Sequence, residues 1–211
     1  LFQSSGNMLQ QISSLGLNLS TVKEIANDKE NGGTVISVVR KLLLITAILG
    51  AILTILFSPL LSKFSFGNSN YTLSYTLLSL MVLFMTLSNG ELAILQGGHA
   101  MKRLALSTLI GSSIGLCIGV PLYYFFGEKG IVPSLIISAL ALYVFYYYHS
   151  LKEFGHVKCR VKLLDNKELA GKLLSLGVIF MLSGNFGTIT TYLVNSFIRN
   201  FVSIDDVGLF Q

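Results

Sequence analysis

The sequence predicts an all-α fold, a polytopic transmembrane helix bundle, and three observations lead there. Apolar residues make up 52% of the 211-residue chain and charged residues 12%, about half the charged share of an ordinary soluble domain; mean hydropathy is +0.69. The apolar residues gather into long runs rather than spreading along the chain. The charges sit between those runs, heavy and light in alternation.

Five runs are clear. Val35 to Leu61 carries only Arg40 and Lys41, near its start. Tyr71 to Leu95 carries one charge, Glu91, while Leu104 to Phe126, Ile131 to Tyr148 and Leu173 to Ile198 carry none. A bilayer core of roughly 30 Å needs about 20 apolar residues of helix, so each run is read as a span. Residues 1 to 21 are only mildly apolar, but Gln3, Asn7, Gln10, Ser14, Asn18 and Thr21 recur at steps of three and four. That spacing places them on one helical face, and a helix with such a stripe can span if the stripe meets protein or water. It is read as a sixth span.

Assigning the loops alternately to two sides puts twelve of the fifteen Lys and Arg residues on one side, in residues 22 to 41, 96 to 103 and 149 to 172. Lys63, Lys129 and Arg199 fall on the other. The positive-inside rule makes the first side cytoplasmic. The net charge of +5 is thereby accounted for by topology, and no nucleic-acid partner is expected. No signal-peptide pattern is visible. Cys117 lies mid-span and Cys159 in a basic loop, so no disulfide between them is expected. No CxxC or HExxH spacing is present, and neither a metal nor a cofactor is expected. His99, His149 and His156 are read as solvated or interfacial. The aromatic clusters Tyr123 to Phe126 and Phe145 to Tyr148 look like interface belts.

The chain opens on Leu1-Phe2-Gln3 and closes on Leu209-Phe210-Gln211. Both triplets stand where a helix entering from the non-cytoplasmic side would begin, as expected of a piece of a longer, two-bundle transporter built from repeats. On that reading residues 1–150 are the remainder of a first bundle, 151–172 a basic cytoplasmic linker, either resting on anionic headgroups or, the simpler reading, an ordinary positive-inside loop, and 173–211 the first helix of a second bundle.

Polar side chains on otherwise apolar helices are the candidate site. Asn185, Thr188, Tyr192, Asn195 and Arg199 form one stripe at helical spacing. Such a stripe either lines a hydrated cavity, with Arg199 placed for an anionic group, or holds helices together by hydrogen bonds; Arg199 alone also reads as a snorkelling anchor. Gln3, Asn7, Gln10 and Asn18 pose the same choice. Tyr75, Ser79, Thr86 and Asn89 share a third face. Glu91 follows, either as an ion-coupling carboxylate or paired with Lys102 or Arg103 across the short loop. Ser107, Gly111, Gly115 and Gly119, four apart, read as a close helix contact, and Pro121 as the position of a kink.

Several stretches resemble one family. Leu15-Gly16-Leu17-Asn18-Leu19-Ser20-Thr21-Val22-Lys23-Glu24-Ile25-Ala26 is similar to the end of the second helix of bacterial lipid-linked oligosaccharide flippases, the O-antigen and polysaccharide-export transporters. These belong to the superfamily that also holds the multidrug and toxic compound extrusion proteins. Leu95-Gln96-Gly97-Gly98-His99-Ala100-Met101-Lys102-Arg103 resembles the loop between helices four and five. Gly119-Val120-Pro121-Leu122-Tyr123-Tyr124-Phe125-Phe126-Gly127 with Gly130-Ile131-Val132-Pro133 resembles helix five, a tight turn and helix six. Leu176-Gly177 to Met181-Leu182-Ser183-Gly184, ending in Val207-Gly208-Leu209-Phe210-Gln211, resembles helix seven.

The resemblance implies helices two to seven of a transporter of the bacterial inner membrane. It would carry an undecaprenyl-pyrophosphate-linked oligosaccharide between leaflets by alternating access. The implied partners are that substrate, membrane lipids, and a polysaccharide polymerase with its chain-length machinery. An ion-coupled multidrug or cation antiporter of the same superfamily is the alternative, although Glu91 is the only carboxylate within the clear spans. A membrane polymerase or ligase would need acid and base groups at the outer surface. The short outer loops hold only Glu128, Asp205 and Asp206, which form no catalytic set, so no enzyme is expected. The topology has a direct test: a cysteine at Lys158 should resist an impermeant thiol reagent applied to intact cells, and labelling from outside would overturn the assignment of sides.

Overall fold

A computed structural model describes residues 2–27, 32–66, 71–155 and 166–184, with residues 190, 193 and 194. The described chain forms α1 (Phe2–Ser13), α2 (Leu17–Asn27), α3 (Gly32–Phe66), α4 (Thr72–Gly97), α5 (Met101–Phe126), a 3-10 turn (Gly127–Gly130), α6 (Ile131–Phe154) and α7 (Lys167–Gly184), and no strand among the described residues. The expected all-α class is what forms. Four helices, α3 to α6, are long and apolar enough to cross a membrane, and each covers one of the expected runs. Of the run Leu173 to Ile198, α7 covers the part up to Gly184; most of the rest lies outside the described residues. The inter-helix segment on the basic side is narrower than 151–172, because α6 runs to Phe154 and α7 begins at Lys167.

Residues 1 to 21 do not make the single helix expected. The helix breaks at Ser14–Gly16, where Leu15 has φ 46° and Gly16 φ 65°, and it resumes as α2 as far as Asn27. The left-handed region costs a non-glycine residue roughly 1–2 kcal/mol, so something must hold Leu15 there. The cause is tertiary. A Cβ built on Gly16 would overlap the Gly177 carbonyl oxygen of α7, and one built on Gly177 would overlap the Leu15 carbonyl oxygen. Two backbones meet at the break, and only glycine on each side admits that approach.

The basic loops converge on one end of the bundle. Gly97 packs on Val22 and Ile25 of α2, and Gly98 on the Phe154 ring of α6. Arg103 pairs with Glu153, and Lys172 donates to Glu24 at 2.7 Å. The turn from α4 to α5 closes with Gly98 N–H on Ile94 and Ala100 N–H on Leu95, with His99 at φ 58°. Beneath that end lies an apolar cluster of Leu17, Ile25, Val35, Val39, Leu43, Ile94 and Leu173, joining α2, α3, α4 and α7. A second cluster, around Tyr75, Leu78, Met81 and Val132, takes in Phe2 and closes the other end.

The α5 ladder is a helix contact. Gly111 meets Leu142, and Gly115 meets Ser138, while the Ser107 hydroxyl lies 3.0 Å from His149 Nδ1. Of the two readings of His149, solvated or interfacial, the contact leaves the second: the residue is half-buried and ties α6 to α5. α5 continues through Pro121 to Phe126 as one helix. A second ladder, Thr46, Gly50, Thr54, Ser58 and Ser62, repeats every four residues on α3. Its polar members are buried, and Gly50 admits the Ser13 side chain of α1.

The break between α1 and α2 should therefore be sensitive to α7. Gly177→Val in the full-length protein should lower the melting temperature in detergent by an amount equivalent to roughly 1–3 kcal/mol. Gly171→Ala, where an added Cβ would meet nothing within 4 Å, should leave it unchanged. Equal tolerance of both would show that α7 does not hold the break.

Candidate functional site

Two polar features lie inside this apolar bundle. The first joins α3, α4 and α6. Glu91 sits six residues before the end of α4, about 9 Å along the helix at 1.5 Å per residue. That depth explains why it does not reach Lys102 or Arg103, the partners expected from the loop. It is bound by Arg40 of α3, at matching depth: Arg40 Nε donates to Oε1 at 2.7 Å and Nη2 to Oε2 at 3.0 Å. Nη2 also donates to the Ser150 hydroxyl of α6 at 2.9 Å. The Tyr147 ring covers the guanidinium at 5.2 Å, and Tyr143 lies against Tyr147 with centroids 5.8 Å apart. The Glu91 side chain is 5% exposed and that of Arg40 17%.

The fork geometry matches guanidinium to carboxylate. The pair neutralises two charges that neither helix could carry alone in hydrocarbon. A cavity of about 370 Å³ opens beside it, lined by Arg40, Lys41, Leu44, Leu87, Glu91, Tyr143 and Tyr147 among others. Arg40 is the residue the sequence reading missed, having been counted only as a topological charge. The available signal was a cation early in one apolar run and the sole carboxylate of the next, both near the basic end.

The second feature is the stripe on α1 and α2. Gln3 is exposed, Asn7 and Asn18 are half-buried, and Gln10 and Thr21 are buried. Six buried side-chain polar atoms have no partner among the described residues, and four of them are here: Asn7 Oδ1, Gln10 Nε2, Asn18 Oδ1 and Thr21 Oγ1. Both sides of the break contribute. Other hydroxyls nearby are satisfied: Ser13 donates to the Thr46 carbonyl at 3.1 Å, and Ser14 to the Gln11 carbonyl at 2.9 Å. In a hydrocarbon surrounding an unsatisfied amide costs several kcal/mol, so these four atoms call for water, a ligand or a partner beyond the described residues.

The α4 face behaves differently. The Tyr75 hydroxyl lies 3.0 Å from that of Ser5, Ser79 bonds the Thr76 carbonyl, and Thr86 the Val82 carbonyl. Those groups bind helices or their own turns. Asn89 is half-buried on the same helix. Asn185, Thr188, Tyr192, Asn195 and Arg199 lie outside the described residues, and no three His, Cys, Asp or Glu residues cluster to hold a metal among those described.

The ion pair has a measurable consequence. Arg40→Gln or Glu91→Gln alone strands a buried charge and should cost about 3–5 kcal/mol, read as a lower melting temperature in detergent. The joint Arg40→Met, Glu91→Leu replacement should recover most of it. If the double variant is as unstable as the sum of the singles, the two residues are not coupled.

No curated protein and no solved structure matches the chain. A family model described as polysaccharide biosynthesis protein matches residues 4–211. With that match running over nearly the whole chain, and with helices α3 to α6 long enough to cross a bilayer, the chain is a multi-pass membrane protein belonging to the polysaccharide biosynthesis protein family.

Proposed function

We propose that this chain forms part of a transporter that carries a lipid-linked oligosaccharide, its lipid an undecaprenyl pyrophosphate, from the cytoplasmic to the outer leaflet of a bacterial inner membrane. Family membership ties the chain to polysaccharide biosynthesis. The observation that carries the transport reading is the row of unpartnered polar atoms on α1 and α2. A sugar head crossing a bilayer needs a hydrated path lined by hydrogen-bonding groups, and amides present both donors and acceptors to hydroxyls. Asn7, Gln10 and Asn18 supply such groups here. By the same logic the sequence stripe of Asn185, Thr188, Tyr192, Asn195 and Arg199, beyond α7, is proposed to extend the wall, with Arg199 serving an anionic group.

On this reading residues 173–211 open a second bundle, and the substrate path runs between the two. The close backbone contact of Gly177 with the α1–α2 break supports a seam at that place. Coupling to an ion through Glu91 would require its pair with Arg40 to open. A polymerase acting on the flipped lipid is the expected partner in the membrane.

Complementation of a strain lacking the full-length protein tests the proposal. Gln10→Leu combined with Asn18→Leu should abolish surface glycan and accumulate the lipid-linked intermediate inside, with membrane protein levels unchanged. Arg199→Ala should reduce export further than either Gln10→Leu or Asn18→Leu alone. Normal export by the double leucine variant would remove these helices from the path.

A further inference from the structure

One face of α7 packs on α2. Ala170, Leu173 and Gly177 recur at steps of three and four, so they share a side of the helix. Ala170 and Leu173 are buried in the cluster that holds Leu17 and Ile25 of α2, and Gly177 lies against the backbone of Leu15 and Gly16. At the edge of this face Lys172 Nζ donates to Glu24 Oε1 at 2.7 Å. We propose that the Glu24–Lys172 pair is a latch across the seam between the two bundles. It holds the basic end of the seam shut, and its parting lets that end open as the opposite end closes. The latch rests on the two-bundle transport reading and adds to it the contact that sets the balance between the two states.

Position is the first argument. The Arg40–Glu91 and Arg103–Glu153 pairs join helices within residues 1–150, whereas the Glu24–Lys172 pair crosses to α7. The two helices run antiparallel, Gly16 meeting Gly177 and Glu24 meeting Lys172. From Leu17 to Glu24 is about 10 Å along α2. The ion pair therefore stands at the outer edge of the seam, beyond the glycine contact. When two packed helices tilt apart, their outer edge moves furthest.

The chemistry of the pair is the second argument. Arg40 and Glu91 form a two-bond fork, with side chains 17% and 5% exposed. Parting them would strand charge away from water. Lys172 makes one contact with Glu24, and its side chain is 58% exposed. Its ammonium already borders water, and Glu24 lies three residues from the end of α2, so both charges are hydrated once the helices part. Such a pair biases an equilibrium without locking it, which is what a transporter that rocks between two states requires of a gate contact.

The test uses the full-length protein in native membranes, with Cys117, Cys159 and any other cysteine removed and one reporter cysteine at a time. Ala170→Cys reports the basic end of the seam. Asn7→Cys, on α1 towards the other end, reports the opposite opening. The ratio of their rates with a small water-soluble thiol reagent measures the balance of the two states. Glu24→Gln and Lys172→Gln should each shift that ratio about fivefold towards Ala170→Cys, the upper end of what a partly exposed pair contributes. Lys172→Arg, which keeps the charge, should leave it unchanged. The exchange of Glu24→Lys with Lys172→Glu should return it to within about twofold of the intact pair. An unchanged ratio in both glutamine variants overturns the proposal. A rise at Ala170→Cys with no fall at Asn7→Cys also overturns it, because the pair would then restrain α7 only locally. An Asn7→Cys that never reacts, with the pair intact or broken, contradicts the transport reading itself, and the latch with it.

Discussion

Hydrocarbon offers no partner to a polar atom, and the bundle is organised by that constraint. Every hydroxyl, amide and charge carried into the membrane has to be met by another part of the chain. Most are met locally: Thr46, Thr54, Thr86 and Thr108 each return a hydrogen bond to a carbonyl three or four residues earlier. The costliest groups are met across helices, Arg40 of α3 by Glu91 of α4 and Ser150 of α6. That knot fixes the relative depth of three spans, because both ends of a fork must arrive at the same level. The amides of α1 and α2 stand apart from the pattern.

Apolar packing follows a different rule from that of a soluble protein. Large side chains such as Leu56, Leu109 and Leu116 lie on the outside, where lipid is as apolar as they are. Inside, large apolar residues gather in the two clusters, and small residues mark the places where spans approach most closely. The ladders of α3 and α5 and the Gly16–Gly177 contact are three instances of one device. At the first two it brings side chains of neighbouring helices close; at the third it also bends the chain, because Leu15 is forced into a left-handed conformation.

The spans were legible because hydropathy adds along the chain and needs no knowledge of neighbours. The α5 ladder was legible for a similar reason: a step of four residues faces one way on any helix. The break at Ser14–Gly16 was not, since it depends on α7, more than a hundred and fifty residues later. Gly16 alone is as compatible with a continuous helix. The sequence points Glu91 to the nearest loop, where local pairing is commonest, but six residues of α4 separate it from the end of that helix. The α1–α2 stripe was legible as a set of positions. Which members stay unpartnered was not, because that depends on what α3, α4 and α7 present to them; Ser14, for instance, satisfies itself on Gln11.

The central claim is that the α1–α2 amides border water rather than lipid or dry protein. Single cysteines at Gln10 and Asn18, in a full-length protein with Cys117, Cys159 and any other cysteine removed, should react with a small water-soluble thiol reagent in native membranes. Cysteines at Leu109 and Leu116, on the outer face of α5, should not. Rates at Gln10 and Asn18 at least tenfold above those at Leu109 and Leu116, on the order expected between hydrated and lipid-buried thiolates, are what the account predicts. Rates as low as those of the lipid-facing pair would contradict it.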